Sequence, residues 1–156
     1  MKAGINPDFA GIWNEGGLYN GVLYYGQRRI KTTAVIKGHE FTIHMKVEFS
    51  PGCSGTHFAF TVKNIRGTEI TGTNTMFEKT FLKPVSAGSV KAVTFRQKMS
   101  LQGGEYLLSL GVTGYENNDF AVYHRLYDVI NVTVISDKDT VGYYDMDTEA
   151  VVRDCI

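Results

Sequence analysis

The sequence predicts an all-β domain in which about seven to nine short strands build a sandwich of two antiparallel sheets. Three observations carry the prediction. Apolar and polar residues alternate with period two in several segments, the mark of strands buried on one face. Turns rich in Gly, Asn and Pro separate those segments at roughly 8–12 residue spacing. No segment keeps a convincing helical period over about twelve residues. A closed barrel is the competing architecture.

The clearest element is "EFTIHMKVEF", Glu40 to Phe49, where Phe41, Ile43, Met45, Val47 and Phe49 alternate with Thr42, His44, Lys46 and Glu48. "SPGCSG" breaks it with Pro51, Gly52 and Gly55. "HFAFTVKNI" repeats the pattern, with Phe58, Phe60 and Val62 on one side and His57, Ala59, Thr61 and Lys63 on the other. Arg66-Gly67 follows as a hairpin turn, and "TEITGTNT" reads as a short strand entering a loop. In "SVKAVTFRQKM", Val93 and Phe95 alternate with Thr94 and Arg96. After the "QGG" turn, "EYLLSLGVTGY" places Tyr106, Leu108, Leu110 and Val112 on one side. "YENNDF" is another turn. "FAVYHRLYDVINVTVI" is long enough for two strands or one bent strand, and its phase slips inside, as at a bulge. The earlier stretch "GIWNEGGLYNGVLYYGQRRIKTTAVIKG" holds several short apolar pieces, and the tail "DKDTVGYYDMDTEAVVRDCI" is acidic and then apolar.

With 156 residues the chain is read as one domain over residues 1–156, long enough to bury a core. Hydrophobic residues make up 43 % and charged residues 21 %, a globular balance rather than a disordered one. Lys+Arg and Asp+Glu cancel at 16 each, which gives no electrostatic reason to expect nucleic acid or an anionic membrane as partner. Cys53 and Cys155 form neither a metal spacing nor a dense disulfide framework; they are read as two thiols in a reducing compartment, with a mutual disulfide as the alternative. No apolar run approaches the roughly 18–20 residues needed to span a bilayer. The start, "MKAGINPDFAGIW", lacks the apolar core of a signal peptide, so the chain is read as cytoplasmic.

The motifs of catalysis are missing. There is no G-x-S-x-G, and Ser109 falls inside a strand. There is no P-loop, and no glycine cluster that follows a strand and opens a helix. His39, His44, His57 and His124 lie on separate elements. His44 and His57 share the outward phase of two strands read as candidate neighbours, but spacing supplies no third metal ligand. "SDKDT" and "DMDTE" read as solvated turns and not as calcium loops. Glu105, Asp119 and Asp128 would serve as paired carboxylates only if the fold gathered them at one cleft. The expectation is therefore no catalytic residue, no metal, no cofactor and no enzyme.

Aromatic residues point elsewhere. Trp13, Tyr19, Tyr24, Tyr25, Tyr115, Tyr123, Tyr127, Tyr143 and Tyr144 exceed what a small core needs if many face outward. Tyr and Trp join a flat apolar face to a polar tip, which suits the C–H face and hydroxyl rim of a sugar. The competing role for each is core or sandwich-edge packing. Asn131-Val132-Thr133 fits a glycosylation sequon, which has no bearing in the cytoplasm.

Three blocks then carry a resemblance. "FAFTVKNIRGTEITGTNT", "QKMSLQGGEYLLSLGV" and "DFAVYHRLYDVINVTV" resemble the C-terminal domain of Wzt-type polysaccharide exporter ATPases, the nucleotide-binding subunits of bacterial ABC transporters for O-antigen and, in Gram-positive relatives, wall polymers or teichoic acids. Gly67, Ile70, Gly72, Asn74 and Thr75 match the first block, Gly104, Tyr106, Leu108 and Ser109 the second, and Tyr127 and Val129 the third. The likeness spans about residues 30–135; its specificity lies in the order and spacing of the blocks. It implies an immunoglobulin-like antiparallel β-sandwich that binds the exported polysaccharide without catalysis. It also implies ABC ATPase and membrane subunits as partners, a place at the inner face of the membrane, and in some members a homodimer that exchanges a C-terminal strand, for which "YYDMDTEAVV" is the candidate. The family's ATPase domain is absent from this chain, as in a detached domain or a stretch cut from a longer protein.

Within that reading the candidate carbohydrate contacts are His44, Lys46, His57, Lys63, Tyr123 and Arg125, taken from the outward phase of the strands. Arg125 leads, because an arginine at a strand centre between Tyr123 and Tyr127 is unusual in a core strand; its competing role is to shield a sheet edge. Thr71-Gly72-Thr73-Asn74-Thr75 is expected to shape a corner, with Gly72 permitting an unusual turn and Asn74 and the threonines bonding local backbone. The rival class is a structural or dimerisation module without glycan contact. A metal-dependent sandwich enzyme would require two or three of the four histidines to converge.

Overall fold

The structure is a computed structural model that describes residues 34–49 and 55–155, and before them the backbone of segments 3–5, 11–14, 24–25, 28–29 and 32–33. The strands are β1 (Ala3–Ile5), β2 (Gly11–Asn14), β3 (Tyr24–Tyr25), β4 (Arg28–Arg29), β5 (Thr32–Ile36), β6 (Glu40–Phe49), β7 (His57–Asn64), β8 (Glu69–Asn74), β9 (Val90–Lys98), β10 (Gly104–Glu116) and β11 (Asp119–Ile135). A four-stranded sheet has β6 between β1 and β2 on one side and β9 on the other. A five-stranded sheet runs β5-β11-β10-β7-β8, and β3 pairs with β4 alone. The all-β sandwich is thus the fold, with its strands antiparallel except that β5 joins β11 in parallel. Among the described residues no helix is long and apolar enough to cross a membrane.

Period-two patterning becomes the core. On β6 the alternate residues Phe41, Ile43, Met45, Val47 and Phe49 are all buried, while Thr42, His44, Lys46 and Glu48 are not. They face Phe58, Phe60 and Val62 of β7, Tyr106, Leu108, Leu110 and Val112 of β10, and Ile130, Val132 and Val134 of β11, in one cluster. Edge-to-face rings stitch the layers together: Phe60 meets Phe95 at 5.1 Å and Phe49 meets Phe58 at 6.1 Å between centroids.

Turn chemistry follows the residues. Gly67 takes φ 84° in the β7–β8 hairpin, and Asn64 Oδ1 accepts from the amides of Arg66 and Thr68 at 2.9 Å. Asn117 and Asn118, both at positive φ, close the β10–β11 hairpin in the way a two-residue turn between twisted strands requires.

Two expectations need correction. First, β6 and β7 are consecutive in the chain but lie in different sheets, so His44 and His57 are not on neighbouring strands. A strand can bury its apolar side against the opposite layer as well as against a neighbour's, and here the chain crosses over between the two. Second, Gly72 makes no unusual turn. It sits inside β8 opposite Thr61, without positive φ, and a Cβ there would lie 2.5 Å from the Phe60 carbonyl oxygen. Close approach of backbone, not conformational freedom, is what calls for glycine. The polar neighbours do bond locally: Asn74 Oδ1 accepts from the Phe77 amide at 2.8 Å, and Thr75 Oγ1 from the Phe58 amide at 3.1 Å.

Beyond β11 the chain is held by a charged knot and not by a strand. Asp145 is buried, pairs with Lys37 at 2.8 Å and Lys138 at 3.2 Å, and accepts from the Asp147 amide at 2.9 Å. The Lys37 bond above all, then the Asp147 amide and Lys138, holds this carboxyl well below the usual range against the opposing effect of desolvation. Leu101 and Tyr144 form an isolated bridge, after which residues 146–155 carry no strand and expose Met146, Val151 and Val152. Cys155 is exposed; Cys53, like the side chains of Trp13, Tyr19, Tyr24 and Tyr25, lies outside the described residues.

Candidate functional site

The long last strand explains the site. Along β10 and β11 the register runs Leu108↔Ile130 and then Leu110↔Leu126. Ser109 alone on β10 therefore faces Tyr127, Asp128 and Val129 on β11, a bulge two residues deep. Asp128 absorbs it with φ 50°. The consequence is that Tyr127 and Asp128, though consecutive, both reach the outer face, while Val129 and Ile130 both pack toward the core.

Around this bulge five side chains meet. The Asp128 amide donates to Ser109 Oγ at 2.9 Å, and Ser109 Oγ donates back to Asp128 Oδ1 at 3.2 Å. Lys63, reaching over from β7, donates to the same Oδ1 at 3.3 Å and stands 5.2 Å from the centre of the Tyr127 ring. Arg125 brings its guanidinium carbon within 5.7 Å of that ring. Beneath Arg125 the register row is Ala59, Gly111, Arg125, and a Cβ on Gly111 would lie 4.0 Å from Arg125 Nε. The small residues in this row leave room for the exposed arginine to lie across Gly111. Tyr127 itself is 65 % exposed.

Of the six candidate residues, the structure brings Lys63 and Arg125 together here. His44 and Lys46 lie on the outer face of the four-stranded sheet, where His44 Nδ1 is 3.1 Å from Thr94 Oγ1. His57 is 8 % exposed, covered by Tyr115 at 6.3 Å between ring centres, and burial lowers its pKa. Tyr123 is the extra residue of a second register shift, between Val112 and Thr113. That shift turns its ring against the core and over Gly114, where a Cβ would clash at 2.6 Å with Tyr123 Cε2. So the six do not form one surface, because equal phase in sequence says nothing of which sheet a strand joins, and a bulge reverses phase within a strand.

Ser109, Tyr127 and Asp128 are the participants that phase alone missed. Asp128 carried a signal. Strict alternation from Leu126 and Ile130 would have buried its carboxylate, which only a bulge avoids. Glu105, Asp119 and Asp128 are spread along the β10–β11 ladder: Glu105 lies opposite Thr133 at one end and Asp119 opposite Glu116 at the other. Among the described residues no group of three or more His, Cys, Asp or Glu is placed to hold a metal ion.

A cleft of about 960 Å³ opens elsewhere, between edge strands β8 and β9. Its walls are interior residues such as Phe41, Ile43, Phe60 and Phe95, with Thr73, Glu78 and Arg96 also lining it, and it holds none of the six candidates. It is the sandwich interior reaching solvent at an open edge. Thr71, Thr73, Thr75, Glu78, Arg96 and Gln97 on its walls also offer partners for hydroxyl groups; the bulge surface differs in joining an exposed ring to charged donors and an acceptor.

This geometry defines the class: an all-β two-layer sandwich domain with a polar, aromatic-centred surface on the five-stranded sheet. A family model described as the Wzt C-terminal domain matches residues 20–146, and the chain belongs to that family. A crystal structure of the C-terminal domain of Wzt superposes with TM-score 0.77 at 23 % identity, over 97 % of this chain and 84 % of that one, a likeness of fold. A CARDB domain from Pyrococcus furiosus gives TM-score 0.40 at 17 % identity, over 86 % of this chain and 98 % of that one. No curated protein matches the chain.

Proposed function

We propose that the chain is a non-catalytic carbohydrate-binding domain that recognises a cell-surface polysaccharide for an ABC exporter. In this reading residues 1–156 form one domain that works with the exporter's ATPase and membrane subunits at the cytoplasmic face of the membrane. The observation that carries it is the family match over residues 20–146. The Tyr127 surface supports it: an exposed ring offers a stacking face, while Lys63, Arg125 and Asp128 supply the donors and acceptor that sugar hydroxyls need. Recognition is the whole mechanism; the domain holds a glycan segment and so couples cargo identity to an ATPase elsewhere. Contacts of this kind are weak per sugar, and repeated units in a polymer raise the effective concentration. The test is titration of the chain with polysaccharide extracted from the envelope of the organism that carries it, with Arg125→Ala alongside. Binding weakened in the variant supports the surface, equal binding removes it, and no binding by either protein removes the function.

The second reading is a dimerisation module without glycan contact. The exposed apolar tail favours it, with Val152 93 % exposed and Val151 beside it. Sedimentation of the chain with and without residues 148–156 tests it: a dimer that needs the tail, with no polysaccharide bound, would replace the first reading.

A further inference from the structure

Resting on the glycan-binding reading, we infer that the sugar read at the Tyr127 surface carries an oxyanion, a carboxylate or a phosphate, and that Arg125 is the residue that binds it. Charge is the first argument. The cluster holds two cations, Lys63 and Arg125, and one carboxylate, Asp128, with Glu69 across the β7–β8 ladder from Lys63. That carboxylate is committed to Lys63 and to Ser109. Arg125 pairs with no carboxylate among the described residues. The unmatched charge is that of Arg125 alone, since Lys63 is paired with Asp128 and has Glu69 across the ladder.

Preorganisation is the second argument. An arginine on an open surface loses rotamer freedom when it binds. This one, though exposed, already lies across Gly111, where a Cβ would stand 4.0 Å from its Nε, with its guanidinium beside the Tyr127 ring. Its planar fork makes charge-assisted bonds to two oxygens of a carboxylate or phosphate, which are stronger than those it makes to neutral hydroxyls. Among the neighbouring charges on this sheet, Glu69 stands opposite Lys63, and Glu105, two residues before Leu107 on β10, accepts from Thr133 at its Oε2 at 3.0 Å. The ring supplies the stacking face for the sugar that bears the anion.

The test uses the full chain and one envelope polysaccharide in three forms: untreated, with its carboxyl groups reduced to alcohols, and dephosphorylated with cold aqueous hydrogen fluoride. Calorimetric titration compares wild type with Arg125→Gln, Arg125→Lys, Tyr127→Ala and Lys83→Ala, the last removing a charge outside the cluster. The untreated polymer is expected to bind at least about tenfold more tightly than one of the neutralised forms, and which form loses affinity distinguishes carboxylate from phosphate. Arg125→Gln removes that difference, Arg125→Lys keeps part of it, Lys83→Ala keeps it all, and Tyr127→Ala weakens every form. Equal binding of all three forms, still dependent on Tyr127, overturns the inference and leaves glycan binding standing. A charge preference that survives in Arg125→Gln overturns the assignment to Arg125. Absence of binding by any form overturns both the inference and the reading beneath it.

Discussion

Asp128 tests the bulge on which the surface depends. Its φ of 50° lies in the left-handed region, which costs most non-glycine residues about 1–2 kcal/mol and aspartate less. Its carboxylate accepts from Ser109 at 3.2 Å and Lys63 at 3.3 Å. Replacement by alanine removes a hydrogen bond worth about 0.5–1.5 kcal/mol and a partly exposed ion pair worth about 0–1 kcal/mol, and leaves a Cβ in an unfavourable backbone region. Together these give a loss of about 2 kcal/mol for Asp128→Ala. Asp128→Gly loses the same contacts but fits the backbone, so it should be the more stable of the two by about 1 kcal/mol, even after glycine's greater unfolded-state freedom. Asp128→Asn keeps the tolerance for left-handed backbone and an oxygen for Ser109, and should fall between wild type and Gly. Equilibrium urea unfolding of the four proteins reads the order directly. If alanine matches or exceeds glycine, the chain makes no left-handed turn at 128. β11 would then run in regular phase, Asp128 would point inward, and the Tyr127 surface would not exist.

Three further outcomes are expected. Gly72→Ala brings a Cβ to 2.5 Å from the Phe60 carbonyl and should cost about 1–3 kcal/mol in the same assay, whereas no loss would mean that β8 is free to shift at the edge. His57, whose folded pKa is lowered from 6.5 by burial, makes no difference to stability above that pH; as pH falls below 6.5 the unfolded chain takes the proton first, so stability declines until the folded residue also protonates, and a wild-type pH profile parallel to that of His57→Phe would refute this. Lys37→Met removes the principal partner of Asp145 and should raise amide exchange across residues 137–147 more than in the core strands; wild type should show the same release in acid, because a carboxyl held below its ordinary 3.8 contributes above that value and stops contributing as pH falls through its folded value. Unchanged exchange in Lys37→Met would show that the knot does not hold the segment.

Facing was legible in the sequence and layering was not. Burial follows the alternation of Glu40–Phe49 residue by residue, because a side chain's face is fixed by its own backbone. Sheet membership is a property of the connection, and the stretch after Phe49 says where the chain turns, not whether it pairs back or crosses over. That is why Lys46 and Lys63, alike in phase, stand on opposite outer faces. The hairpins were legible at Arg66-Gly67 and at Asn117-Asn118 because their residues permit positive φ. Gly72 was misread for the converse reason: a glycine reports either a backbone angle or a close neighbour, and only coordinates separate the two.

The surface near Tyr127 shows how a defect in pairing gathers polar side chains around one ring. In an unbroken strand, residues 125, 127 and 129 would stand in file about 7 Å apart along one face, and residue 128 would be inside. Two extra residues opposite Ser109 change this. They bring the carboxylate out, place it under Lys63, and leave the arginine next to the ring without an anion of its own. Each half of that outcome depends on the other. Without Asp128 outside, Lys63 loses its ion pair and stands beside the tyrosine with Arg125. Without the bulge, Asp128 is an unpaired charge in an apolar layer, which folding does not tolerate. The core therefore enforces the geometry that a ligand would use, and the same few residues account for the phase slip in the sequence, the left-handed angle in the backbone and the unmatched charge at the surface.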